Sequence, residues 1–144
     1  MSSEQTFEKE LTANDTGQTH SHQAGIHIPK GQKDLLAFLP ELDPRVKNPD
    51  AWLVATDDEG IEWEFRYIHY NNKHHSERGT RDEYRITHMT KALRALGANE
   101  GDTLAISGVA RSGKIRIRIN RDDAIQSSGL QPVRIKLTGW RKVH

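Results

Sequence analysis

The stretch Gly108-Val109-Ala110-Arg111-Ser112-Gly113-Lys114-Ile115-Arg116-Ile117-Arg118-Ile119-Asn120 decides the fold. Its first seven residues have the glycine and lysine spacing of a phosphate-binding loop. Such a loop opens a helix, and a Ser or Thr after the lysine holds magnesium. Here Ile115 follows the lysine, and Lys114 to Asn120 alternates polar and apolar side chains at period two. That is the pattern of a half-buried strand. The motif therefore reads as a hairpin turn joining strands Thr103–Val109 and Lys114–Asn120, and it does not support an ATPase.

The same alternation recurs outward from this hairpin. Ala51–Thr56 and Ile61–Tyr70 form a second hairpin around Asp57-Asp58-Glu59-Gly60, with Ile61, Trp63, Phe65 and Tyr67 on one face. Phe7–Ala13, Gly25–Pro29 and Glu83–Ile86 read as shorter strands, and Val133, Ile135 and Leu137 mark a last one. Asn14-Asp15-Thr16-Gly17 reads as a turn. Asp34–Leu39 is a short helix stopped by Pro40, and Thr87 is placed to cap a second helix carrying Met89, Ala92, Leu93 and Leu96. Gly97 is the residue expected just past its end. The last residues, Arg141 to His144, show no obvious structure. The count is about seven strands and two short helices. The expected fold is mainly β, a seven-stranded, mostly antiparallel open barrel.

With 144 residues the chain fits one domain, and 34% hydrophobic residues predict a small core with long polar loops. The absence of cysteine excludes disulfides, cysteine-based zinc sites and thiol catalysis. Met1 to Gln5 does not begin a signal peptide, and no stretch approaches the roughly 20 apolar residues of a membrane-spanning helix. A soluble protein of a reducing compartment, without membrane partners, is expected. The net charge of +1 hides an asymmetry: residues 1–65 carry a net of −8 and residues 66–144 a net of +9. Such a split points towards a polyanionic partner.

Two further constellations invite a metal. His20 and His22, and His74 and His75, lie in polar loops with no third ligand in sequence, so solvated or DNA-facing histidines are the better reading. Asp50 followed by Glu62-Trp63-Glu64 resembles the start of a metal-dependent nuclease motif. The position for its lysine is occupied by Glu64. A self-sufficient nuclease using Asp50, Glu62 and Glu64 remains an alternative, and no catalytic residue or cofactor is expected.

The informative segments are two polar stretches anchored in strands. One is Ser21-His22-Gln23, leading to His27; the other runs from Asn71 to Arg85. Arg81, Glu83 and Arg85 alternate and so project the same way. Arginine offers a fork to guanine O6 and N7, and glutamate accepts from cytosine N4. The same trio also makes a salt-bridge ladder that only orders the surface, and the residues alone leave both readings open. Lys114, Arg116, Arg118, Arg134 and Lys136 form an outward stripe best read as a solvated sheet face.

Leu11-Thr12-Ala13-Asn14-Asp15-Thr16-Gly17, His22-Gln23-Ala24-Gly25-Ile26 and Ile28-Pro29 resemble the N-terminal domain of EcoRII-type restriction endonucleases. So do Tyr70-Asn71-Asn72-Lys73 and Thr80-Arg81-Asp82-Glu83-Tyr84-Arg85-Ile86-Thr87. The resemblance implies a DNA-binding pseudobarrel, as in plant B-three transcription-factor domains, gripping the major groove with two arms. It implies base reading by His22, Arg81, Glu83 and Arg85 within a CCWGG site, W being A or T. It further implies DNA contacts at His27 and Tyr84. By position the first arm is Gln18 to Gln23 and the second Lys73 to Arg85; Ser21, Gln23 and Asn72 are further contact candidates, and Lys30, Lys73 and Arg78 flank the arms as phosphate candidates. The family carries lysines where this chain has Gly79 and Tyr84, and a tyrosine at His27. Residues 1–144 are then one non-catalytic DNA-binding domain, the N-terminal part of a longer type II endonuclease of the bacterial cytoplasm. Its partners are double-stranded DNA and the parent chain's nuclease domain. A transcription regulator of the same fold is the other binding-module alternative.

Overall fold

The computed structural model describes residues 4–16, 25–121 and 139–143. Eight strands form a single sheet: β1 (Glu4–Glu10), β2 (Ile26–Ile28), β3 (Asp50–Thr56), β4 (Glu62–Tyr70), β5 (Glu83–Thr87), β6 (Thr103–Val109), β7 (Lys114–Asn120) and β8 (Trp140–Val143). Their order across the sheet is β2-β5-β4-β3-β7-β6-β1-β8. All pairings are antiparallel except β3 with β7, which meet in parallel over Val54–Thr56 and Lys114–Arg116. The β6–β7 hairpin has the expected bounds, and its turn uses positive φ at Arg111 and Gly113.

Seven of the expected strands lie among the described residues, which hold eight in all. The additional strand is β8, in the segment expected to be unstructured; it pairs with β1 from Thr6↔Val143 to Lys9↔Trp140. Trp140, Lys142 and their neighbours show no long alternation, so only the open edge of β1 reveals this strand. The strand expected around Val133 to Leu137 lies outside the described residues.

Three short helices accompany the sheet: α1 (Ala13–Thr16), α2 (Lys33–Phe38) and α3 (Thr90–Ala95). Asn14 to Thr16, expected to belong to a plain turn, lie in α1, which is started by a reciprocal cap. The Asp15 N–H donates to Thr12 Oγ1, and the Thr12 N–H donates to Asp15 Oδ2, both at 3.1 Å. Thr87 does not cap α3. It is the last residue of β5, its hydroxyl turned to the Arg66 carbonyl, and Met89 occupies the cap position without a side-chain bond.

Alternation sends Phe7, Leu53, Phe65, Ile106 and Ile117 into the barrel, where α2 adds Phe38 with its ring 5.1 Å from that of Phe7. The ends of the sheet, β2 and β8, do not pair as strands. The Trp140 indole N–H instead donates to the His27 carbonyl at 3.2 Å, nearly closing the barrel through one side chain.

Between β4 and β5 the chain makes a compact arm, with a 3-10 turn at Asn72–His74. Its root is fixed by buried Asn71, which accepts from the Asn48 N–H at 2.7 Å and donates to the Val46 carbonyl at 2.9 Å. Its two limbs are joined where the Lys73 N–H donates to the Arg81 carbonyl and the Arg81 N–H donates to Asn72 Oδ1. Asp82 then ties the arm to the barrel. Its carboxylate meets His69 Nε2 of β4 at 2.8 Å, His74 Nε2 of the arm at 3.1 Å, and the ammonium of Lys30 beyond β2.

Two predictions follow from these ties. Replacing Trp140 by Phe keeps an aromatic ring but removes the donor to β2 and part of the buried indole, at an expected cost of at least about 1 kcal/mol. Urea unfolding reads the loss, and hydrogen exchange locates it: β2 amides should exchange faster while β6 and β7 stay protected. The second concerns pH. Lys30, then His69 and His74, hold the Asp82 carboxyl far below the usual carboxylate range. A depressed acid contributes stability that is complete above its unfolded pKa, about 4, and lost as pH falls through the folded value. The stability gap between wild type and Asp82→Asn is therefore expected at neutral pH and should shrink below about pH 4. Urea titrations at stepped pH measure it, and a gap unchanged down to the acid limit contradicts the clasp.

Candidate nucleic-acid interface

The parity of β5 sorts the second polar segment into two faces. Ile86 belongs to the core, so Tyr84 and Asp82 turn to the same side, and Glu83 and Arg85 turn outward. On the outer face Arg85 stands opposite His27 of β2 and Ile68 of β4, and Glu83 stands opposite Tyr70. On the inner face Tyr84 stands opposite Ile28 and His69. It stacks on the His69 ring at 4.1 Å and lies parallel to Tyr67 at 6.1 Å. Tyr84 thus supports the row from behind, on the opposite face of β5 from Arg85.

The outward row is ion-paired. Arg81 donates to Glu83 Oε1 through Nε at 3.0 Å and Nη2 at 2.5 Å, and Arg85 Nη2 donates to Glu83 Oε2 at 3.4 Å. Burial pushes the Glu83 carboxyl up, but the hydrogen bonds and charges of the two arginines outweigh it and hold it below its ordinary value. Glu83 is therefore ionised at neutral pH, an acceptor only. The salt-bridge ladder exists, yet it does not consume the row. The Nη1 end of Arg81 has no partner among the described residues, and 41% of its side chain is exposed. Arg85 is more enclosed: Nη1 reaches the Gly25 carbonyl at 3.3 Å, and buried Nε lacks a hydrogen bond. Arg85 thereby joins the row to the root of the first polar segment. Gly25 itself, at φ +87, could carry no Cβ, which would lie 2.0 Å from the Ile86 carbonyl oxygen.

The remaining candidates divide by their partners. Lys73 and Arg78 are exposed on the arm, without an ion pair among the described residues. His27 is exposed beside Arg85. Lys30 is engaged by Asp82, and Asn72 uses Oδ1 to shape the arm. His74 and His75 are spoken for by Asp82 and the Pro44 carbonyl. Gly79 is packed so tightly that a Cβ would lie 2.0 Å from the Asn72 carbonyl oxygen, so a lysine here requires a differently shaped arm. Ser21, His22 and Gln23 fall outside the described residues, as do Arg134 and Lys136 of the basic stripe. Within that stripe Arg116 pairs with Glu4 and Arg118 with Asp58, as on a solvated sheet face.

Sequence reasoning missed Asp82 and His69. The parity that made Arg81, Glu83 and Arg85 one row also turns Asp82 inward, which was readable; its pairing with Lys30, 52 positions away, was not. The nuclease alternative fails on register. Asp50 lies opposite Ile68 and Glu62 opposite Thr56, at the two ends of the β3–β4 ladder and about 20 Å apart. Asp50 is instead paired with Arg66 at 2.6 Å. These carboxylates do not share a metal.

Comparison with known proteins places this geometry. The chain is 39% identical over 87 residues to the type II restriction enzyme EcoRII of Escherichia coli, covering 58% of this chain and 20% of that enzyme. It thus spans about a fifth of that relative's length. The solved structure of an Arabidopsis FUS3–DNA complex superposes with a TM-score of 0.57 at 21% identity, covering 79% of this chain and 94% of FUS3's, a likeness of fold. The family profile described as restriction endonuclease EcoRII, N-terminal, matches residues 1–116. An eight-stranded, nearly closed pseudobarrel with an arginine–glutamate row on its outer face is thus the form of a chain that belongs to the EcoRII N-terminal family.

Proposed function

We propose that this chain is a sequence-specific double-stranded DNA-binding domain, the non-catalytic specificity or effector part of a type II restriction endonuclease. The observation that carries the reading is the outward Arg81–Glu83–Arg85 row, flanked on the adjoining arm by exposed Lys73 and Arg78, which have no ion pair among the described residues. Family membership and the fold shared with a DNA-bound protein support it. Arg81 and Arg85 present guanidinium groups to guanine edges in the major groove, and Glu83 accepts from a cytosine amino group. A CCWGG site offers both edges repeatedly. His22 of the first arm completes the reading set. Ser21, Gln23, His27 and Asn72 touch the duplex beside it, and Lys30, Lys73 and Arg78 meet phosphates, which fix register without choosing sequence. Cleavage belongs to a separate catalytic domain of a longer bacterial protein.

Binding of a CCWGG duplex is expected to exceed binding of a scrambled duplex by roughly a thousandfold at physiological salt. Equal affinities in a gel-shift series at fixed salt refute the assignment. Arg81→Ala should cost about 1–3 kcal/mol on the cognate duplex and little on the scrambled one. Lys73→Ala should weaken both together and flatten the salt slope by about one unit. Glu83→Ala separates the open readings of the row: relaxed choice at cytosine positions supports base reading, whereas uniformly tighter binding with intact preference contradicts it. Supercoiled plasmid incubated with the chain and magnesium or manganese should stay intact. Linearisation abolished by Asp50→Ala places catalysis in this chain after all.

A further inference from the structure

Arg81 stands in a mechanically weak place. It precedes β5, so no strand ladder holds its backbone, and its long side chain reaches the surface. Left free, such a side chain samples many rotamers, and a fork aimed at one base edge needs a single orientation. Four groups supply it. Asn72 Oδ1 and the Lys73 N–H fix the Arg81 peptide groups on either side. Glu83 engages Nε and Nη2 along one edge of the guanidinium. The fourth group is Tyr70, whose ring centroid lies 3.8 Å from the guanidinium carbon.

We infer that Tyr70 is a specificity-positioning residue, acting through Arg81 and resting on the DNA-reading role proposed above. Tyr70 is the last residue of β4 and lies opposite Glu83 in the β4–β5 ladder. The outer face therefore brings the ring and the carboxylate to the same guanidinium from two directions. The carboxylate fixes rotation in the plane of the group by engaging one edge. The ring fixes the plane itself, because the electron-rich face attracts the cation and an aromatic surface matches the flat guanidinium. The Nη1 end, without a partner among the described residues, is left for a guanine edge. Arginine without the ring keeps its ion pair but can tilt about it, and the fork loses its aim. Tyr70 is half-buried and lies outside the core cluster, so its ring is not needed to fill the barrel.

The test is a double-mutant cycle read as the ratio of cognate to scrambled DNA affinity, on variants with unchanged circular dichroism. Tyr70→Phe retains the ring and should keep the ratio within about twofold. Tyr70→Leu should lower it about fivefold while leaving scrambled binding unchanged. In an Arg81→Ala background Tyr70→Leu should lower it no further, because the ring has nothing left to aim. A full loss from Tyr70→Leu in that background means that Tyr70 acts on DNA directly and overturns the inference. So does a loss in Tyr70→Phe, which assigns the effect to the hydroxyl. If Arg81→Ala itself leaves the ratio intact, the reading role of Arg81 fails and this inference fails with it. If only the Tyr70 variants are silent, the DNA-reading role stands and the positioning role alone is refuted.

Discussion

The arm that carries the candidate interface depends on one carboxylate. Asp82 gathers Lys30 from beyond β2, His69 from β4 and His74 from the arm itself. These groups are remote in sequence, and the carboxylate holds them in one place because each brings a donor to a partly shielded acid. Without it, the arm is attached to the barrel chiefly by the Asn71 root and the short pairing of its limbs. A loop with few apolar contacts is drawn from the low end of the stability range, so such polar ties determine its orientation.

From that anchor the division of labour along one strand follows by geometry. Successive residues of β5 point to opposite faces, and Asp82 just before it keeps the same parity, so Asp82, Tyr84 and Ile86 hold while Glu83 and Arg85 face outward. Glu83 is shared between two arginines, which keeps it ionised and separates their positive charges. The same bonds that order the surface therefore orient its donors. At Arg81 the ladder does not use up the side chain, since one edge is engaged and the other end is still on offer.

The far side of the barrel contributes as well. β2 is only three residues long, too short to hold its place by ladder bonds alone, yet it carries His27 opposite Arg85. Its free edge is held by the Trp140 indole from β8, and its start by Arg85 on the Gly25 carbonyl. β8 lies beyond residues 1–116, the part of the chain that defines its family. The outer face thus relies on a strand outside the matched residues, through a side chain that substitutes for missing strand pairing.

Much of this was legible in the sequence because it rests on local periodicity. Lys114 to Asn120 declared a strand and dismissed a phosphate loop, since period two is a property of neighbouring residues. The hairpins, α2 and the outward projection of Glu83 with Arg85 were readable for the same reason. What depended on distant residues was not. Thr87 has the side chain of a cap, but pairing with β4 keeps it in a strand. Asp50, Glu62 and Glu64 suggested a metal site until the β3–β4 register put Asp50 and Glu62 at opposite ends of a ladder. β8 carries no long alternation and exists because β1 has an edge to pair with. Sequence by itself determined which residues alternate and which charges share a face. Only the tertiary structure decided which of those charges are satisfied from afar, because a carboxylate such as Asp82 finds its partners through the folded chain rather than along it.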